Sequence, residues 1–430
     1  MIILPEQYGF KANHKENLID FSSWTDAPEN GSRSFAKKKG DGLCYKFWKV
    51  NDQSKYQFET SYYVGVDWLI EGVKPIYIEP KQNDEEAQIN YLKILADALA
   101  TSSNTDDLNE LFEVDFSKEF IEIEQSQDLL TPLLVIQYLQ LLKKIAKKGF
   151  RKSYYRIEQN LNSRVKGKVL INHTIKKNTV RSRNTHTICD FEEFGINSIE
   201  NRVLKKAFIF CKTILSNTQI QSVGNNQELC NFIEPTLHSV IDRVNILELR
   251  HIKSNPLFPE YENALKLAKI ILRKYGYSIS TLSERKIHTP PFWIDMSKLF
   301  ELYVLSKLRE QFPLKGEVIY HPKINGYEPD FLLKTNDGLI KAVIDAKYKP
   351  RYENNQISID DIRQVAGYAR MEGVYKILEI QDLNKSIDCV IIFSSQLAQH
   401  ELSNLDLLSD TKINNFSKIF KIGVRLPIVD

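Results

Sequence analysis

The chain has 430 residues, with 42% hydrophobic and 26% charged content, which is ordinary for a soluble globular protein and enough for two or three domains. No run of about eighteen apolar residues occurs, so no membrane span is expected, and Met1-Ile2-Ile3-Leu4-Pro5-Glu6 lacks the basic-then-apolar order of a secretory signal. The five cysteines (Cys44, Cys189, Cys211, Cys230, Cys389) are scattered without a C-x-x-C pair, which argues against a zinc or disulfide framework and for a reducing, cytoplasmic setting.

The net charge of +3 hides an asymmetry. Lys143 to Arg183 carries fourteen Lys/Arg against one acid, Glu158, so the rest of the chain is negative by ten. Thr105 to Asp128 holds nine acids and one lysine. Blocks of this size point to a separate binding face, the alternative being a solvated amphipathic helix followed by a basic loop. Tyr154 and Tyr155 interleave with Arg151, Lys152 and Arg156, a mixture suited to phosphate contact with stacking, or to an acidic protein surface.

Residues 1 to about 100 read as β-rich. Tyr56 to Val66 and Pro75 to Lys81 are the strands, with Glu71-Gly72 in a turn between them, and Asp26 to Gly42 reads as a loop. Residues 84 to about 149 read as mainly helical, with Leu129 to Leu142 a buried helix whose Pro132 falls in the first turn. Helical periodicity returns over 197–288, notably Ile199 to Leu215 and Glu260 to Tyr275. Asn255-Pro256 and Phe258-Pro259 break the chain between helices. Thr289-Pro290-Pro291 suggests a domain join.

Asp295 to Phe312 has apolar residues at 299, 300, 303, 304, 308 and 312, which is helical spacing. Asp295 or Ser297 can cap it, and Pro313 follows its end. Two apolar segments come next, Tyr327-Glu328-Pro329-Asp330-Phe331-Leu332-Leu333 and Ala342-Val343-Ile344-Asp345-Ala346-Lys347-Tyr348-Lys349. Asn336-Asp337-Gly338 between them signals a turn joining antiparallel strands. Side chains alternate faces, so Asp345 and Lys347 share one, and the hairpin brings Asp330 beside them. Two carboxylates and an ammonium at one point can hold Mg²⁺, activate a water and stabilise charge on a phosphodiester. Ser358-Ile359-Asp360-Asp361 reads as a capping box opening a helix that carries Gln364 and Tyr368 on one face. Asp388 to Ser395 reads as a further buried strand.

Pro-Asp followed fifteen positions on by Asp-x-Lys resembles the PD-(D/E)XK nuclease signature. The order helix, three strands, helix, strand is the core order that this resemblance implies, with Glu301 as either the helix glutamate reaching towards the metal or a surface residue. The expected fold class is therefore α+β and multidomain. It comprises a β-rich domain over 1–130, a basic, mainly helical region over 131–290, and, as the resemblance implies, an α/β PD-(D/E)XK endonuclease domain over 291–430 with a mixed sheet flanked by helices.

The middle of the chain is more specific. Tyr155-Arg156, Leu161 to Val169 with Lys166-Gly167-Lys168, Cys189 to Phe194, and Asn197 to Ala207 with Asn201-Arg202-Val203-Leu204-Lys205 resemble McrC proteins, the nuclease subunits of McrBC modification-dependent restriction systems. The resemblance implies an McrB-like AAA+ GTPase ring as partner and cleavage of double-stranded DNA carrying modified bases. It implies Mg²⁺ held by Asp330, Asp345 and the Ala346 carbonyl, with Lys347 orienting or activating water and Glu301 and Gln364 in support. The chain has no G-x-x-x-x-G-K-[ST] segment, so GTP would be bound by the partner. The basic residues Arg156, Arg164, Lys166, Lys168, Lys176, Lys177, Arg181 and Arg183 either track DNA or contact the motor, Arg156 and Arg164 being candidates for GTPase stimulation. Asn201 and Arg202 read as capping and packing residues, and His173 and His186 as polar surface residues. Two other readings stay open: a nuclease-fold adaptor that activates a motor without cutting, and a self-contained endonuclease.

Overall fold

A computed structural model describes residues 1–9, 18–20, 28–36, 42–50, 55–80, 89–101, 111–124, 127–217, 226–244, 259–276, 286–349, 357–395 and 412–428. The breaks expected at Asn255-Pro256 and Phe258 lie outside these residues, as do parts of the 26–42 loop and the 105–128 acidic stretch. The chain forms two compact units, Met1–Leu133 with Ser283–Asp430, and Leu134–Leu282. Among the described residues no helix is long and apolar enough to cross a membrane.

The first unit holds most of the sheet. A five-stranded sheet runs in the order Ile2–Pro5, Lys74–Glu79, Tyr63–Ile70, Phe292–Asp295, Phe112–Val114. A second sheet joins Leu18–Asp20, Lys55–Thr60, Leu43–Lys49 and Asn30–Ser34. Phe47, Phe58, Tyr63, Ile76, Ile78 and Trp293 form one buried cluster with residues of both sheets. Phe292–Asp295 enters the first sheet antiparallel to Tyr63–Ile70, with Trp293 opposite Gly65. A Cβ at Gly65 would meet the Phe292 carbonyl oxygen at 2.0 Å, so only glycine permits this approach. The stretch after Pro290-Pro291 thus begins as a strand of the N-terminal sheet.

The expected strand from Tyr56 to Val66 is two strands, broken after Thr60. The expected loop at 26–42 contains the strand Asn30–Ser34. The expectation of a mainly helical 84–149 is corrected as well. Helices Tyr91–Thr101 and Leu130–Lys148 are present, but Phe112–Val114 and Ile121–Glu124 between them are strands. Ile121–Glu124 pairs antiparallel with Lys286–Thr289. Ile121 and Ile123 are buried while Glu122 and Glu124 face solvent, an alternation that suits a strand.

The C-terminal part of this unit begins with the helix Met296–Gln311, capped by Asp295, whose carboxylate accepts from the Lys298 amide at 3.0 Å. Five strands follow in the order Val318–Tyr320, Phe331–Lys334, Lys341–Lys347, Asp388–Ser394, Ile419–Val424. The first three pair antiparallel and the last two join in parallel, so the sheet is mixed. The helices Ile359–Tyr368 and Glu372–Ile377 lie between the third and fourth strands, the first capped by Ser358. Leu332, Val343, Val365, Val374, Leu378, Ile391 and Phe393 belong to the core beneath.

The second unit carries the helices Ile199–Asn217, Asn226–Thr236 and Pro259–Gly276, and a small sheet. The region expected to be mainly helical therefore also contains a pair of ten-residue antiparallel strands, Ser153–Asn162 against His186–Gly195, joined by Lys168–Val169. Asn201 is fully buried and joins its parts. Its side-chain amide donates to the Ile196 and Arg151 carbonyls at 2.7 and 2.9 Å and its carbonyl accepts from the Tyr261 hydroxyl at 3.0 Å. The capping-and-packing role expected of Asn201 fits these bonds.

Candidate active site

The hairpin register places Phe331 opposite Ile344, so Asp330 and Asp345 are neighbours where the two strands meet. Asp345 is fully buried at the end of an apolar strand. Lys347 Nζ lies 2.8 Å from Asp345 Oδ2, yet neither carboxylate oxygen has a hydrogen-bond donor in good geometry. Asp330 Oδ2 accepts from the Ala346 amide at 2.8 Å, which pins the two strands together at the site. On the following helix, Gln364 Oε1 accepts from Lys347 Nζ at 3.1 Å, and Gln364 Nε2 donates to the Tyr368 hydroxyl at 3.2 Å. Asp361 accepts from Lys349 at 2.8 and 3.0 Å.

Glu301 comes from the opposite side, on the capped helix. Its Oε1 accepts from the Tyr320 hydroxyl at 2.5 Å and lies 2.7 Å from His321 Nε2 and 3.2 Å from Lys298 Nζ. Glu301, His321 and Asp330 each bring a ligand atom to within 4.8 Å of the others. Asp330, Asp345, Lys347, Glu301 and Gln364 therefore converge. Sequence reading missed His321, whose only signal was its place at the end of the strand before Asp330.

The electrostatics follow from crowding. Desolvation, and then the charges of Asp345 and Glu301, push Asp330 up to about 8 against the pull of Lys347 and the Ala346 amide. Burial likewise raises Asp345, opposed by Lys347. Burial disfavours the charge on Lys347, but Asp345 and Asp330 outweigh it and raise its pKa, so the ammonium persists at neutral pH. For Glu301, burial is outweighed by the His321 hydrogen bond and by Lys298, and its carboxyl stays below the usual range. Two carboxylates crowd one buried strand end with a single ammonium, Lys347, between them, and one of the two resists ionisation. That is the condition a divalent cation relieves, and the all-oxygen donor set of Asp330, Asp345 and the Ala346 carbonyl suits Mg²⁺.

The eight basic candidates lie in the second unit and are exposed. Arg156 forks onto Asp190 with Nε at 2.6 Å, so its charge is already paired. Lys166 sits 4.3 Å over the Phe191 ring and 3.7 Å from Glu193. Lys168 stands opposite Asp190 in the ladder. Between them Gly167 has φ +68°, and a Cβ there would meet the Asp190 carbonyl at 2.5 Å. The basic-Gly-basic pattern is thus a close backbone approach flanked by two cations. Arg164, Lys176, Lys177, Arg181 and Arg183 form no ion pair among the described residues. Val165, Ile171 and Val180, at least 62% exposed, lie among them, and Tyr154 packs on Phe194 with ring centroids 5.1 Å apart. His173 meets Glu158 at 3.0 Å and His186 meets Thr185 at 3.2 Å, both at the surface.

A family model described as McrBC 5-methylcytosine restriction system component matches residues 59–377. The chain belongs to the McrBC family. That match spans the basic hairpin and the cluster of Asp330, Asp345, Lys347 and Gln364 alike. No curated protein matches the chain. Among solved structures it is similar to the refined half-complex from the tetradecameric assembly of Thermococcus gammatolerans McrB AAA+ hexamers with bound McrC, at 18% identity and a TM-score of 0.38, over 88% of this chain and 80% of that one. It is also similar to the Thermococcus gammatolerans McrBC complex, at 16% identity and a TM-score of 0.28, over 61% and 70%.

Proposed function

We propose that this member of the McrBC family is the McrC-type endonuclease subunit of a modification-dependent restriction system, hydrolysing phosphodiester bonds of double-stranded DNA with Mg²⁺. The convergence of Asp330, Asp345 and Lys347 on one strand end, with Gln364 accepting from the lysine, carries this reading. The Pro-Asp to Asp-x-Lys spacing, with a capped helix before it and a mixed sheet around it, supports the PD-(D/E)XK reading. Asp330, Asp345 and the Ala346 carbonyl would hold the ion. Bound there, Mg²⁺ would supply Lewis-acid charge and lower the pKa of a coordinated water.

The chain's own groups do the rest. Lys347 is kept charged by its two carboxylate neighbours, so it acts as a donor that orients water and neutralises charge growing on phosphorus, rather than as a base. Gln364 holds the ammonium in place, and Tyr368 holds the Gln364 amide. Glu301 supports Asp330 from the facing helix.

Recognition of the modified base and GTP hydrolysis are assigned to an McrB-like AAA+ partner, whose hydrolysis this chain stimulates. The exposed cations Arg164, Lys176, Lys177, Arg181 and Arg183 suit either the partner or the DNA backbone, whereas Arg156 is committed to Asp190. The test is a mixture of the protein, its AAA+ partner, GTP, Mg²⁺ and 5-methylcytosine-containing plasmid. Cleavage that needs every component supports the proposal. Cleavage without partner or GTP would make the protein a self-contained nuclease, and stimulated GTP hydrolysis with no cleavage on any modified substrate would make it an adaptor.

A further inference from the structure

The strand that carries Asp345 and Lys347 is firmly held at its start and thinly held at its end. Phe331–Lys334 pairs with it only as far as Ile344, and Asp388–Ser394 only as far as Lys347. Lys347 is therefore the last residue of the ladder, at a place where strands open most readily. The next residue, Tyr348, is 4% exposed and faces the N-terminal part of the unit. Its hydroxyl donates to Glu6 Oε1 at 2.7 Å, and its ring meets those of Tyr62 and Phe300 with centroids 6.5 and 5.9 Å away. Glu6 is fully buried and is itself anchored, because its amide donates to the Glu79 carbonyl at 2.8 Å and continues the pairing of Ile2–Pro5 with Lys74–Glu79. Tyr62 also accepts the Met296 amide at 3.0 Å, at the start of the helix that carries Glu301. Burying a carboxylate is costly unless hydrogen bonds compensate, and the chemistry above uses neither Glu6 nor Tyr348.

We propose that Glu6 is a positioning residue for the reaction. Through Tyr348 it clamps the open end of the strand to the N-terminal sheet, and so keeps Lys347 Nζ between Asp345 and Gln364. The proposal rests on the nuclease reading for its purpose, but the clamp itself is a matter of geometry. Backbone pairing stops at Lys347, so the side chain that follows it sets how far the lysine can swing. Displacing a reacting group by about 1 Å is enough to cost a large factor in rate. The first strand of the N-terminal sheet thus acts on the lysine, although it brings no group into the pocket.

Tyr348→Phe keeps the ring and removes the donor. With the full chain, its AAA+ partner, GTP, Mg²⁺ and methylated plasmid, the single-turnover cleavage rate at saturating DNA should fall about tenfold or more. The DNA concentration for half-maximal rate should not move. Glu6→Leu should have the same effect, and Glu6→Gln, which keeps an acceptor of the same reach, should recover most of the lost rate. Tyr348→Phe combined with Glu6→Leu should cost no more than the worse single change, because both break one bond. Backbone hydrogen exchange over Asp345 to Tyr348 should quicken in Tyr348→Phe and Glu6→Leu, which reads the strand end without any cutting. Variants that melt earlier yet cut at the natural rate overturn the inference, as does a slower rate with unchanged exchange at the strand end. If the natural protein cuts no DNA under any of these conditions, the nuclease reading fails and exchange alone judges the clamp. Quicker exchange then supports the hold on Lys347, and unchanged exchange overturns it.

Discussion

Asp330 and Asp345 are held where neither would choose to be. Asp330 titrates near 8 in the folded chain against an ordinary 3.8, so the folded state binds its proton more tightly than the unfolded one. The contribution of Asp330 to the stability of the ion-free protein therefore falls as pH climbs from about 4 towards 8, because ionised Asp330 is costly only when folded. Asp330→Asn keeps an acceptor for the Ala346 amide and removes the charge. In chelator at pH 8.5 it should be more stable than the natural chain by about 1–2 kcal/mol, the usual trade of stability for a functional site. That difference should shrink as the pH approaches 4. Denaturant melts at the two pH values decide it, and a less stable variant at pH 8.5 would contradict the electrostatics. The thiols offer a second check at this scale. All five cysteines are buried, and burial pushes Cys389 up to about 12. A chromogenic disulfide reagent should label the folded chain far more slowly than the denatured one, and prompt labelling when folded would refute the packing.

The elements around the site were legible where two signals coincided. The Asp330 and Asp345 strands showed an apolar run and a turn between them, and the helices from Met296 and Ile359 showed both periodicity and a capping residue. Elements resting on long-range pairing were not legible. Phe112–Val114 is three residues long and is completed by a strand from Phe292. Ile121–Glu124 has the right alternation but sits in an acidic stretch within 84–149, which reads as mainly helical. The strand Ile419–Val424 went unread. His321 was invisible for the same reason, since its partners Glu301 and Asp330 meet it only in the folded sheet. The Asn201 hub tests the second unit at this scale. Asn201→Ala removes its bonds to the Ile196 and Arg151 carbonyls and to the Tyr261 hydroxyl, and should cost about 2 kcal/mol or more in denaturant unfolding. A loss below about 0.5 kcal/mol would show that the hub is not holding the hairpin to its helices.

At the scale of the whole molecule, the second unit interrupts the first between Leu133 and Ser283. On either side of that insertion in sequence, Glu124 pairs with Lys286 within the first unit. Replacing 134–282 with a short Gly/Ser linker should therefore leave a folded first unit that still binds Mn²⁺. Failure to fold or bind would mean that the units are not separable. On the proposed reading, the chemistry falls to Asp330, Asp345 and Lys347, and the exposed basic hairpin is offered for contact with a motor or its DNA. One paired assay tests that account most directly. Natural protein and Asp345→Ala are each mixed with the AAA+ partner, GTP, Mg²⁺ and methylated plasmid, and GTP hydrolysis and DNA cutting are read from the same tube. The account predicts equal GTPase stimulation by both proteins and cleavage by the natural one only. Undiminished cleavage by Asp345→Ala would place the active site elsewhere.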